Sequence, residues 1–138
     1  MFGSEEAKIA FLFVKVGLAG TDMAASYLLP RVVGLSKATE LLFTGDFVSA
    51  TEAERIGLYN RVVPTGELSA ATRTFAEKLA RGPAFALGKT KEMLNRELDM
   101  NLQTALESEA QAQAICMQHP DYPEAYEAFV AKREARFK

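Results

Sequence analysis

The feature that most constrains the fold is an abrupt change of periodicity near residue 65. Beyond it, apolar residues recur at helical spacing in four successive segments. Leu68, Thr72, Phe75 and Leu79 mark the first segment, which Gly82-Pro83 should end. Leu87, Leu94 and Leu98 mark the second, and Leu102, Ala105, Leu106 and Ala112 the third, ended by His119-Pro120. Asp121 to Glu124 has the spacing of a capping box and opens the fourth, with Tyr122, Ala125, Tyr126, Phe129 and Val130 on one face. Residues 65–138 are therefore expected to form a helical domain.

Residues 1–64 alternate instead. Ile9 to Val16 is β-branched and aromatic and reads as a short buried strand. A glycine loop follows, Gly17-Leu18-Ala19-Gly20-Thr21, and Asp22 enters a helix with Met23, Tyr27, Leu28 and Val32 as its expected inward stripe. Pro30 predicts a kink or an early end to that helix. A second helix is expected over Ser36 to Phe43, closed by Gly45. Ser49-Ala50-Thr51-Glu52 has the capping-box pattern, opening a short helix that ends at Gly57. Leu58 to Val63 reads as a strand stopped by Pro64. Two short strands do not make a stable sheet by themselves, so this part expects more protein beside it. The chain should thus be mainly α, with an α/β remnant at 1–64.

Composition narrows the function. The 138 residues carry a formal net charge of -2, which argues against a nucleic-acid partner because phosphate binding needs a cationic footprint. The single cysteine permits no intramolecular disulfide. No apolar run approaches the ~20 residues that span a bilayer, and the acidic start lacks a signal-peptide pattern. No membrane partner and a cytoplasmic location are expected.

Few residues offer chemistry. Gly88-Lys89-Thr90 has the ending of a phosphate loop, but Pro83 stands where its first glycine is needed and the setting is helical. Cys116 and His119 cannot supply the three or four ligands of a zinc site, so no metal is expected; they read as core filler and a helix-terminal residue. Lys132, Arg133, Arg136 and Lys138 either complement the last helix dipole or bind phosphates. Asp22 is the one carboxylate directly after a glycine loop. It is either an N-cap or a group facing a ligand.

Several of these stretches, read together, resemble the enoyl-CoA hydratase/isomerase (crotonase) family. They are Val16-Gly17-Leu18-Ala19-Gly20-Thr21-Asp22, Leu28 to Gly34, the block LLFTGDFVSATEAERIGLYNRVVP, and Glu124-Ala125 through Phe129-Val130-Ala131-Lys132-Arg133. The resemblance is to the C-terminal half of such a protein. It implies the end of a spiral ββα core, residues 1–64, followed by a helical oligomerisation domain, residues 65–138, that builds homotrimers or hexamers. It also implies lyase or isomerase chemistry on an acyl-CoA thioester in fatty acid metabolism, through a thioester enolate stabilised by two backbone N–H donors. Coenzyme A arrives on the substrate, so no separate cofactor is expected.

The same resemblance assigns residues. Gly17, Leu18, Ala19 and Gly20 would lie along the substrate. Asp22 would move protons or activate water, as an aspartate at this place does in certain isomerases and dehalogenases. Phe129 and Lys132 would meet the coenzyme A of a neighbouring subunit. The family's oxyanion segments would lie upstream of Met1, and Phe13 stands where a two-glutamate hydratase carries one of its acids. The chain alone is therefore expected to lack turnover. The alternative is a non-catalytic helical module for oligomerisation or acyl-CoA binding.

Overall fold

A computed structural model describes residues 1–137. Contacts divide the chain into two compact units, residues 1–73 and 74–138.

The first unit holds four short strands and three helices. Strand β1 (Phe2–Ser4) pairs in parallel with β4 (Arg61–Val63), Gly3 opposite Val62. Strand β2 (Lys8–Ile9) pairs antiparallel with β3 (Val48–Ser49). Of the helices α1 (Ala25–Val33), α2 (Leu35–Thr44) and α3 (Ala50–Arg55), α3 packs on β2, β3 and β4, while α1 packs against α2. Leu29, Ala38, Leu41, Leu42, Val48, Ala53 and Tyr59 form the core. Each large side chain buried there contributes about 1.5–3 kcal/mol.

Local signals explain most of these boundaries. Gly45 closes α2 in the left-handed conformation, φ +60°, where a side chain would be strained. The Ser49 hydroxyl accepts the Glu52 amide at 3.2 Å and starts α3. Only half of the box forms, because the Glu52 carboxylate is engaged by Arg55 and Lys37. Those cations hold its carboxyl below the usual range, Arg55 more than Lys37. Helix α1 carries Pro30 in its interior and runs on to Val33, ending where Gly34 takes φ +81° and its amide donates to the Pro30 carbonyl at 3.0 Å.

Three expectations fail here. Ile9 to Val16 is not a strand. Only Ile9 pairs, and Leu12–Val16 coils into a 3₁₀ helix, since a β segment without a partner leaves its ladder unmade. The strand expected from Leu58 begins at Arg61, because the Tyr59 amide turns back to the Ala53 carbonyl at 2.9 Å. The inward stripe of α1 also fails: Met23, Tyr27, Leu28 and Val32 are exposed, and Leu29 is the buried residue.

The second unit holds the end of α4 (Leu68–Ala80), with α5 (Ala84–Arg96), α6 (Leu102–Gln118) and α7 (Asp121–Val130). These are the four expected helices. The Asn101 side chain caps α6 through the Thr104 amide at 2.9 Å. The capping box at Asp121 does not form. Asp121 is the first residue of α7, with Pro120 in the N-cap position, and Glu124 turns to Arg133. Among the described residues of this unit only Asp121 and Ala128 are buried. The apolar face of α7 is open, with Phe129 83% exposed.

Candidate functional site

Asp22 sits in the link between the 3₁₀ helix and α1. Its Oδ1 accepts the Met23 amide at 2.8 Å, and the helix starts three residues later with no side-chain cap. The N-cap reading is therefore overturned. The reason lies in the backbone: Met23 and Ala24 are both left-handed, φ +49° and +62°, so the first free amides of α1 fall beyond the carboxylate. Asp22 is left exposed.

It lies at the edge of a recess of about 350 Å³. Phe11, Phe13, Leu28, Leu29, Val32 and Leu58 make the rest of that recess almost wholly apolar, and Asp22 is its one carboxylate. Phe13 and Asp22 thus line the same space. An apolar recess with one carboxylate at its rim suits an acyl chain with a proton carrier beside it.

The two glycines of the loop serve different ends, Gly17 a positive φ and Gly20 a close approach. Gly17 closes the 3₁₀ helix in the left-handed conformation, φ +77°, and the Leu18 amide donates to the Phe13 carbonyl at 2.9 Å. Leu18 is 61% exposed. Ala19 is exposed as well. Gly20 packs against α2 so tightly that a Cβ would lie 2.8 Å from the Leu42 carbonyl oxygen. Gly20 lines a separate recess with Val14, Pro30 and Leu42, whereas Gly17, Leu18 and Ala19 line neither space.

In the second unit, Phe129 lies in the last turn of α7 and Lys132 just past its end, where the Lys132 amide donates to the Phe129 carbonyl at 3.2 Å. Both are exposed, and Lys132 is left-handed, φ +52°. Arg133 is committed elsewhere. It makes a bidentate pair with Glu124 at 2.6 and 3.0 Å, which holds the Glu124 carboxyl down to about 2, helped by the Arg136 amide. Lys138 lies outside the described residues.

Other candidates resolve simply. Gly88-Lys89-Thr90 lies inside α5, and Lys89 pairs with Glu92 at 2.9 Å. His119 ends α6 and stacks on Phe85 with ring centroids 4.6 Å apart. Its Nδ1 lies 3.3 Å from the Asp121 carboxylate, a contact that the spacing alone did not reveal. No cluster of three metal-ligating side chains occurs among the described residues. No helix among them is long and apolar enough to cross a membrane.

The fold defined by these elements is the helix-rich C-terminal part of a crotonase-type α/β protein. The family description "Enoyl-CoA hydratase/isomerase" matches residues 1–138, and the chain belongs to that family. It is 34% identical over 137 residues to the 1,2-epoxyphenylacetyl-CoA isomerase of Escherichia coli, covering 99% of this chain and 52% of that protein. It is 33% identical over 133 residues to the short-chain-enoyl-CoA hydratase of Clostridium acetobutylicum, covering 96% and 48%. A crystal structure from Streptomyces coelicolor A3(2), an enoyl-CoA hydratase by name only, superposes with a TM-score of 0.94 at 50% identity, covering 98% of this chain and 49% of that one. The chain spans about half the length of the curated relatives it matches.

Proposed function

We propose that this chain is the C-terminal part of an enzyme that processes acyl-CoA thioesters through an enolate, as hydratase or isomerase, with Asp22 as its acid/base. The observation that carries this reading is the recess shared by Asp22 and Phe13. A carboxylate beside an apolar wall can take a proton from an acyl chain, or return one, as the enolate forms and collapses. With Phe13 in place of a second acid, the reading favours a one-carboxylate proton shift over two-glutamate hydration. The names of relatives include both a hydratase and an isomerase, so the family leaves that choice to the site.

The family resemblance sets Gly17, Leu18, Ala19 and Gly20 along the substrate, although none of the four lines the recess that holds Asp22. Phe129 and Lys132 offer a ring and a point charge to the coenzyme A of a neighbouring subunit in a homotrimer or hexamer. The setting is cytoplasmic fatty acid metabolism. The oxyanion donors come from sequence that this chain does not contain, so the 138-residue chain by itself lacks turnover.

The test is enzymatic. A family-length protein that carries this segment should turn over an enoyl-CoA, and Asp22→Asn should lower kcat about 10²-fold or more with KM little changed. Full activity of the Asn variant would overturn the assignment. Robust crotonyl-CoA hydration by the isolated chain would overturn the claim of inactivity. For Lys132, calorimetry with coenzyme A should show weaker binding after Lys132→Ala; equal affinity would remove that residue from the site.

A second reading, an oligomerisation module without catalysis, is favoured by the open apolar faces of residues 74–138. Leu94, Leu102, Leu106, Tyr126 and Phe129 are each more than half exposed, more than a monomer usually leaves to water. Light scattering on the isolated chain should then give a monodisperse trimer. A monomer or an aggregate would count against it.

A further inference from the structure

The recess that holds Asp22 has two unlike walls. Phe11 and Phe13, both half-buried, enter it from the 3₁₀ turn and the residue before it. From α1 come Ala25, Leu28, Leu29 and Val32. These four stand at i, i+3, i+4 and i+7, so they make one continuous face of the helix. Leu29 is buried at its base, whereas Leu28 and Val32 are exposed. The part of α1 left open to water is thus a wall of this recess. Phe11, Ala25 and Leu58 pack against the core of the first unit, which braces both walls. Among the described residues neither phenylalanine ring stacks on another aromatic ring. The exposed Met23 side chain stands at the rim beside Asp22.

Size and chemistry together select an occupant. About 350 Å³ holds on the order of a dozen waters, so a short acyl group would leave most of the space wet. Asp22 is the only ionisable side chain on the lining, so whatever fills the rest is apolar. An alkyl chain gains burial alone against these walls. A phenyl ring gains burial and, against an aromatic wall, edge-to-face or offset contact worth about two- to tenfold in affinity. A thioether beside the ring adds to this. We propose that the acyl group taken up beside Asp22 carries an aromatic ring, held between Phe13 and the face of α1 that bears Leu28 and Val32, with Met23 at its edge. The inference rests on the reading above that this recess receives the acyl group, and it narrows that group to an aryl-substituted one.

The probes are phenylpropanoyl-CoA, cyclohexylpropanoyl-CoA and hexanoyl-CoA. Their binding to the 138-residue chain is measured by calorimetry and by the methyl NMR signals of Met23 and Leu28. Phenylpropanoyl-CoA should bind about threefold or more tightly than hexanoyl-CoA, and its ring current should shift both methyl signals. Phe13→Leu keeps an apolar wall and removes the ring. In that variant the phenyl-to-cyclohexyl affinity ratio should fall about threefold or more. The comparison on the parent chain does not depend on the variant folding. Two failures are distinguishable. If the three thioesters all perturb Met23 and Leu28 but phenyl is not preferred, or the ratio is unchanged in Phe13→Leu, the aryl assignment is overturned and the recess remains the acyl site. If none of them perturbs those signals, the acyl-site reading falls and takes the aryl assignment with it.

Discussion

Arg133 reaches back across the end of α7 to Glu124 and grips both carboxylate oxygens, while the Arg136 amide donates to Oε1 at 2.7 Å. One carboxylate thus ties down the segment that follows the helix, and it does so only when ionised. Its folded value of about 2 lies below the ordinary 4.5, so the tie contributes in full above pH 4.5 and is lost as pH falls through about 2. Hydrogen exchange at Arg136 should show protection that is flat from neutral pH to about 4.5 and disappears toward 2, after correction for intrinsic rates. Glu124→Gln should remove that protection at every pH. Protection that persists in the variant would mean the tail is held by something else.

Among the glycines of the first unit, the one with least room for a side chain is Gly3 of β1, which faces the ring of Tyr59. A Cβ on Gly3 would sit 2.3 Å from the ring edge, and Tyr59 is a core residue at 9% exposure. The ring cannot withdraw without leaving the core. Gly3→Ala should therefore lower stability by about 1–3 kcal/mol, read as an earlier denaturant midpoint with unchanged slope. Combined with Tyr59→Ala, its further cost should largely vanish, the signature of residues in direct contact.

How much of this was legible depends on whether a signal is local. Gly45 closing α2 and Ser49 opening α3 were readable because the residue itself supplies the conformation or the hydrogen bond. The four C-terminal helices were readable from spacing. What failed were claims about which face lies inside. The apolar stripe of Met23, Leu28 and Val32 says that a face avoids water, not what covers it, and here it stays open. The same holds for Phe129 on α7. Asp22 failed as a cap because nothing in its composition signals two left-handed residues after it. That it shares a recess with Phe13 depends on the 3₁₀ turn of residues 12–16, which the β-branched sequence disguised.

Those left-handed residues carry a prediction of their own. Ala24 adopts φ +62° as the residue preceding α1, a conformation that costs an L-residue roughly 1–2 kcal/mol. Glycine adopts it freely, although it gives back part of the gain as unfolded-state entropy. Ala24→Gly should leave the unfolding free energy unchanged or raised by up to about 1 kcal/mol. Ala25→Gly, one residue on and in the first turn of the helix, should lower it by up to about 1 kcal/mol. If both substitutions destabilise alike, the left-handed entry to α1 is absent in solution.

The two units should also answer differently to loss of a leucine. Leu41 lies in the core of the first unit at 4% exposure, against Leu29, Val48 and Ala53. Truncation there removes buried area and leaves a cavity, so Leu41→Ala should cost about 2–5 kcal/mol whatever the protein concentration. Leu102 on α6 is 76% exposed, and within one chain it has little to lose. Leu102→Ala should change the stability of a monomer by less than about 0.5 kcal/mol. If residues 74–138 bury their apolar faces against other copies, the same substitution acts on assembly instead. Its effect then appears as a midpoint that falls with dilution more steeply than that of the parent chain. Denaturant titrations of both variants at two concentrations separate these cases. A concentration-independent loss of several kcal/mol at Leu102 would mean that its face is already covered within the single chain.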